Sequence, residues 1–228
     1  MKIADIYQSR QGEGLLTGAE SVFVRSSGCN LRCWFCDTPY TSWSPEGEDL
    51  SVEEILISVD GMDCRHVVIT GGEPMLYAEL VPLAEGLHGM GRHITIETAG
   101  TLYLPVFCDL MSISPKLSNS TPPAARDRRW RHRHEHARHA PQVVRRLMND
   151  YEYQLKFVID APEDCDEVLR YLDEFSEVDR SRVMLMPQGT SCDELAERGA
   201  WLEPNCLAHG FVFCPRQQIE WFGLARRT

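Results

Sequence analysis

The run His66-Val67-Val68-Ile69-Thr70, stopped at once by Gly71-Gly72-Glu73-Pro74, does most to limit what this chain can become. A continuous apolar run of that length suits a buried strand of a parallel sheet, and glycines ahead of proline turn the chain sharply into the next element. Similar units come after it. His93-Ile94-Thr95-Ile96-Glu97 ends in Thr98-Ala99-Gly100, and Asp109 to Ile113 ends in Ser114-Pro115-Lys116. Tyr153 to Ile159 precedes a helix from Glu163 to Phe175, and Arg182 to Met186 ends in Pro187-Gln188-Gly189. Apolar runs at Ile3 to Tyr7 and Ser21 to Arg25 open the chain. Ser51-Val52-Glu53-Glu54 has the spacing of a capping box for a helix reaching Asp60, and another helix after Pro74 ends near Gly89. Strands alternating with helices specify a parallel sheet with right-handed crossovers, whose ligands gather at the carboxyl edge of the strands.

Between the second strand and the capping box lies Cys29-Asn30-Leu31-Arg32-Cys33-Trp34-Phe35-Cys36-Asp37, which places three thiols within eight residues. Soft ligands so close together suit one inorganic centre: zinc, copper(I) or an iron-sulfur cluster. A structural zinc site is closed by a fourth protein ligand, so three Cys point either to a partner elsewhere or to a position kept for chemistry. Cys64, Cys108, Cys165, Cys192, Cys206 and Cys214 are scattered, as small buried residues would be, although one of them could complete a zinc site. Nine Cys is an odd number, and Met1-Lys2-Ile3-Ala4-Asp5-Ile6 lacks the sections of a secretory signal. Reduced thiols in a cytoplasmic protein are therefore expected.

A length of 228 residues fits a single domain, and 43% apolar with 25% charged residues are ordinary globular values. No apolar run approaches the roughly 20 residues that span a bilayer, so a soluble chain is expected. The net charge of −11 argues against general affinity for nucleic acid. That charge is unevenly placed. From Arg126 to Arg146 eight Arg face only Asp127 and Glu135, a net of +6, which leaves −17 on the rest. His132, His134, His136 and His139 are interleaved there. The segment reads as a solvated surface insertion spanning residues 117–141, or as a docking patch for an acidic partner or RNA.

Cys29, Cys33 and Cys36 match the C-x3-C-x2-C pattern of the radical S-adenosylmethionine superfamily, with Phe35 as the aromatic residue before the last Cys. Together with Gly71 to Pro74, this loop resembles that superfamily. Gln11-Gly12-Glu13-Gly14, Cys36-Asp37-Thr38, Thr70-Gly71-Gly72-Glu73-Pro74, Glu97-Thr98-Ala99-Gly100 and Ser114-Pro115-Lys116 occur in the order seen in the 7-carboxy-7-deazaguanine synthase family. The resemblance implies a partial, modified (β/α) barrel in which the three thiolates hold a 4Fe-4S cluster and S-adenosylmethionine chelates the fourth iron. It implies a lyase that contracts 6-carboxy-5,6,7,8-tetrahydropterin to 7-carboxy-7-deazaguanine with loss of ammonia, on the route to queuosine. Gln11, Gly12, Glu13, Arg25 and Thr70 would then meet substrate, with Arg25 on its carboxylate. Phe35, Cys36, Asp37, Gly72, Glu73, Thr98, Ser114, Pro115, Lys116 and Gln188 would meet the cofactor, and Thr38 would bind Mg2+. A homodimer served by a small redox protein as electron donor is also implied, and the end of the chain resembles tails that fold over substrate. Ala99 departs from the Asn common in the family, and the 117–141 insertion has no counterpart. Two other readings share parts of the pattern: a glycyl-radical-enzyme activase, and a non-catalytic zinc or iron-sulfur module that binds RNA.

Overall fold

The computed structural model describes residues 1–228. Nine strands make one sheet: β1 (Lys2–Arg10), β2 (Glu20–Ser26), β3 (Glu48–Asp49), β4 (His66–Gly71), β5 (His93–Thr98), β6 (Leu110–Ile113), β7 (Tyr153–Ile159), β8 (Val183–Pro187) and β9 (Val212–Phe213). Their spatial order is β3-β1-β2-β4-β5-β6-β7-β8-β9, with β3 and β9 at opposite edges, so the sheet curves without closing. The partial barrel read from the sequence is an open one. From β2 to β9 every pairing is parallel, but β1 runs antiparallel to both β2 and β3. Residues 11–19 are too few for a crossover, so the first two strands can only fold back as a hairpin.

Helices α2 (Val52–Asp60), α3 (Leu80–Gly89), α5 (Pro141–Asp150), α6 (Pro162–Leu172) and α7 (Cys192–His209) bury Ile55, Leu83, Leu147, Val168 and Leu202 in the same core as the strands. The capping box starts α2, with Ser51 Oγ accepting from Glu54 N at 3.2 Å and Glu54 Oε2 accepting from Ser51 N at 2.8 Å. After Pro74 the chain makes a single 3-10 turn, Pro74–Leu76, before α3 begins. Short helices α1 (Pro39–Ser42) and α8 (Gln217–Phe222) flank the cysteine loop and the end of the chain. The basic segment keeps its arginines at positions 126, 128, 129, 131 and 133 exposed, but it is not solvated all round. It forms α4 (Arg128–Arg138), whose His134 is completely buried.

Strand periodicity explains where the site lies. Val22, Val24, Val67, Ile69, Ile94, Ile96, Leu155 and Phe157 project into the helix-covered core. Because successive side chains alternate faces, Arg25, Thr70, Glu97 and Lys156 project to the other side, where they line a shared cavity. No helix is long and apolar enough to cross a membrane.

Candidate active site

The loop joining β2 to α1 carries Cys29, Cys33 and Cys36, and all three line one cavity of about 350 Å³. Its shape is fixed by bonds to its own backbone. The Arg32 guanidinium donates to the carbonyls of Cys29 and Leu31, both at 2.7 Å, and Trp43 Nε1 donates to the Cys33 carbonyl at 3.0 Å. Two donors already face sulfur: Leu31 N at 3.4 Å from Cys29 Sγ, and Ser42 Oγ at 3.2 Å from Cys36 Sγ. Such outer contacts orient metal-binding thiolates. Burial pushes the Cys29 and Cys33 thiols up to about 12, and raises Cys36 as well. All nine cysteines are free. No three His, Cys, Asp or Glu side chains converge tightly enough for one ion, whereas three thiolates on a cluster each bind a different iron. The donor set fits the cluster.

Beside this loop, Gly71 (φ +120°) and Gly72 lie against the end of β2. A Cβ on Gly72 would sit 2.0 Å from the Gly28 carbonyl oxygen, so no other residue fits without moving backbone. The Gly72 amide donates to Ser26 O at 3.0 Å, while its carbonyl accepts no hydrogen bond from the protein and suits a ligand amino group. Glu73 does not line the cavity. Its fully buried carboxylate accepts from Met75 N at 3.1 Å, Thr98 Oγ1 at 2.8 Å and Ala99 N at 2.8 Å, latching the turn to the end of β5. Burial pushes that carboxyl up, against the pull of those bonds and Lys116. Pro115 is likewise buried away from the cavity, whereas Phe35, Asp37, Thr38, Thr98, Ser114, Lys116 and Gln188 line it. Lys116 Nζ is held by the Ser114 carbonyl at 2.8 Å and hydroxyl at 2.6 Å.

Opposite the thiols, the Gln11-Gly12-Glu13-Gly14 loop is pinned by its backbone. Gly14 N donates to Cys214 Sγ at 3.2 Å, Leu15 N to Gln154 Oε1 at 2.8 Å, and Gln217 N to the Gly12 carbonyl at 3.0 Å. Gln11 turns inward to Ser21 Oγ at 2.9 Å, so its side-chain amide braces the hairpin. Glu13 faces the cavity and accepts from Lys156 Nζ at 3.1 Å, Arg216 Nε at 3.3 Å and Gln218 Nε2 at 2.6 Å. Burial would raise its carboxyl, but Lys156 and Arg216 outweigh burial and bring it down to about 2. A carboxylate has about four acceptor positions, which leaves Glu13 one for a ligand.

Lys156 also donates to Glu97 Oε1 at 2.8 Å, and Glu97 Oε2 accepts from Thr70 Oγ1 at 2.7 Å. Burial alone would lower the Lys156 ammonium, yet Glu97 and Glu13 hold it above the ordinary lysine range. Arg216 Nη2 pairs with Asp37, next to Cys36. One chain of charged contacts thus runs from Thr70 through Glu97, Lys156, Glu13 and Arg216 to Asp37. Sequence reading missed Lys156, Arg216 and Gln218, and named Glu97 only as a polar strand end.

Arg25 stands apart from that chain. Its Nη2 donates to Tyr7 Oη at 2.7 Å, its Nε is buried without a partner, and no carboxylate pairs with it. A half-buried guanidinium without a counter-ion is a ready anion site. Over the cavity lies the end of the chain, from Gly223 to Thr228. It is tied down by Arg226 and Arg227, which reach the buried Asp5 at 3.2 and 2.6 Å.

A cysteine loop and a Gly-Gly-Glu-Pro turn at the carboxyl edge of an open barrel define a radical S-adenosylmethionine enzyme, and the sequence profile of the Radical SAM superfamily matches residues 23–168. The crystal structure of QueE from Escherichia coli shares the fold, with a TM-score of 0.72 over 95% of this chain and 93% of that one, at 24% identity. A 7-carboxy-7-deazaguanine synthase from Rhodopirellula baltica is 46% identical over 99% of this chain and 88% of its own length. Another from Halobacterium salinarum is 40% identical, covering 100% and 93%. The chain belongs to the 7-carboxy-7-deazaguanine synthase family.

Proposed function

We propose that this enzyme converts 6-carboxy-5,6,7,8-tetrahydropterin to 7-carboxy-7-deazaguanine with loss of ammonia, in 7-deazapurine biosynthesis. One observation carries the reading: Glu13, with one acceptor position to spare, and Arg25, a cation without a carboxylate, line the same cavity as the three thiols. A carboxylated pterin has the complementary groups, ring N–H and amino donors at one end and an acid at the other. Gly12 and Thr70 complete the substrate side.

Cys29, Cys33 and Cys36 would hold the 4Fe-4S cluster. Phe35, Asp37, the Gly72 carbonyl, Thr98, Ser114, Lys116 and Gln188 would receive S-adenosylmethionine, and Thr38 would supply a hydroxyl to Mg2+. When bound, cluster and cofactor supply the radical that takes a hydrogen atom from substrate. The protein's own share is positional. Lys156 and Glu97 are held in their charged forms at neutral pH, so they orient Glu13 and Thr70 rather than exchange protons. Arg25 fixes the acid end, and the tail over the cavity keeps water from a reactive intermediate. We place the enzyme in the cytoplasm as a homodimer, reduced by a small electron-transfer protein.

Anaerobic incubation of the iron-loaded protein with dithionite, S-adenosylmethionine and the tetrahydropterin tests this directly. The reading requires 7-carboxy-7-deazaguanine by mass spectrometry, at a rate that depends on Arg25. Cofactor cleavage without that product would overturn the substrate. A colourless protein holding one zinc would favour the non-catalytic module instead.

A further inference from the structure

Helix α4 carries the densest charge on the molecule, and its partners within the protein lead to the cysteine loop. Arg126, Arg128, Arg129, Arg131 and Arg133 are exposed, and none forms an ion pair. Arg138 is the one arginine of α4 that is neutralised, by Glu135 at 3.1 Å and Glu167 at 3.7 Å. The inner face of the helix explains its placement. His134, fully buried, accepts from the Arg32 amide through Nδ1 at 3.1 Å; its Nε2 must then carry the proton and donate to Ser120 Oγ at 2.9 Å. Trp130 lies under the Arg32 guanidinium at 3.8 Å, and Arg126 lies over Trp43, whose indole holds the Cys33 carbonyl. Between Cys33 and Cys36, Trp34 is 41% exposed and its amide donates to Ser120 O at 3.1 Å. The unpaired arginines and the loop are therefore parts of one rigid surface.

We propose that this surface is the docking site for the reductant, a small acidic electron-transfer protein, an inference that rests on the function proposed above. Charge complementarity selects the occupant. The chain outside residues 126–146 carries −17, so an acidic carrier is repelled elsewhere and steered to the face that presents five unpaired arginines; Arg145 and Arg146, on α5, are already paired with Glu177 and Asp150. A compact carrier can cover that face alone, whereas an extended polyanion such as RNA would run onto the surrounding negative surface. On docking, the reduced carrier gives up one electron and is oxidised by one electron; the centre held by Cys29, Cys33 and Cys36 takes it up. His134 and Trp130 act as positioning residues that hold the helix on the loop.

The test uses the iron-loaded enzyme, a reduced plant-type 2Fe-2S ferredoxin as the acidic probe, and a variant carrying Arg128→Glu, Arg129→Glu and Arg133→Glu. Titration calorimetry should show salt-sensitive binding that weakens by about tenfold or more in the variant. Ferredoxin-driven cleavage of S-adenosylmethionine should fall in parallel, with dithionite-driven cleavage unchanged. The corresponding triple Arg→Gln variant should fall between the two. The site is wrong if the reversed variant binds ferredoxin like the wild type, if the wild type does not bind it, or if both cleavage rates drop together. Tighter binding of a short RNA than of ferredoxin to these arginines would also overturn it. Loss of dithionite-driven cleavage in the wild type would count against the proposed function, and the binding measurement would still decide the docking site.

Discussion

Arg216 donates from Nε to Glu13 Oε1 across 3.3 Å and 203 residues of sequence. The same guanidinium reaches Asp37 beside Cys36, so the Glu13 loop and the cysteine loop share one fork. Lysine cannot serve both partners. Arg216→Lys should lower kcat/KM about 10- to 100-fold, since a charged hydrogen bond is worth about 1.5–3 kcal/mol and each 1.4 is tenfold. Cluster content, read by absorbance, should not change. Unaltered kinetics would show that the fork is dispensable.

Glu13 gives a pH signature. Its carboxyl is lowered to about 2, so its stabilising contribution is complete above the unfolded value near 4.5 and is lost as pH falls through about 2. In the metal-free chain, the stability gap between wild type and Glu13→Gln should be constant from pH 5 to 8 and shrink below about 4.5. Denaturant titrations across that range check it. The loaded variant should keep its colour but bind substrate more weakly.

Arg25 bears the acid-end assignment. Arg25→Gln removes the cation but keeps a donor, and KM for the carboxylated pterin should rise about 10- to 100-fold, as for loss of a charged hydrogen bond. Ultracentrifugation and absorbance should find an intact, brown protein. An unchanged KM would move the carboxylate elsewhere.

Glu73 latches the Gly71-Gly72 turn to the end of β5. In Glu73→Gln the amide nitrogen must face a donor among Met75 N, Ala99 N and Thr98 Oγ1, at a cost of about 1–3 kcal/mol. Thermal melting should reveal that loss even without cofactor. A variant with wild-type stability and impaired cofactor binding would restore Glu73 as a direct contact.

Gly12 leaves room for the end of the chain. A Cβ there would lie 2.2 Å from Gln218 Oε1 and 2.6 Å from its backbone nitrogen. Gly12→Ala should therefore displace α8 and loosen the tail. Trypsin should then cut at Arg226 and Arg227 faster than in wild type, and persistent protection would refute the coupling.

Much of this arrangement was legible because it is local. The cysteine spacing, the Gly71-Gly72 turn and the capping box at Ser51 depend on neighbours within a few residues. Lys156 could have been found from period-2 alternation: Tyr153, Leu155, Phe157 and Ile159 join the core, which sends the lone Lys of that strand to the opposite face. Arg216 left no such trace, since Asp37 and Glu13 lie 179 and 203 residues away and nothing around Cys214-Pro215 announces a site. Composition misled at α4, where a tract of Arg and His concealed the buried His134. The antiparallel β1 was obscured by the strand-helix rhythm that dominates the chain from β4 onward. The segment after Gly189, with α7, β9 and α8, carried no periodicity strong enough to place.

The central claim is that three sulfurs hold an iron-sulfur cluster whose remaining iron takes S-adenosylmethionine. Electron paramagnetic resonance of the anaerobically reconstituted, dithionite-reduced protein tests it most directly. The account predicts a reduced 4Fe-4S signal that changes shape when S-adenosylmethionine is added and is absent in Cys33→Ala. A signal indifferent to the cofactor, or one that survives loss of Cys33, would contradict it.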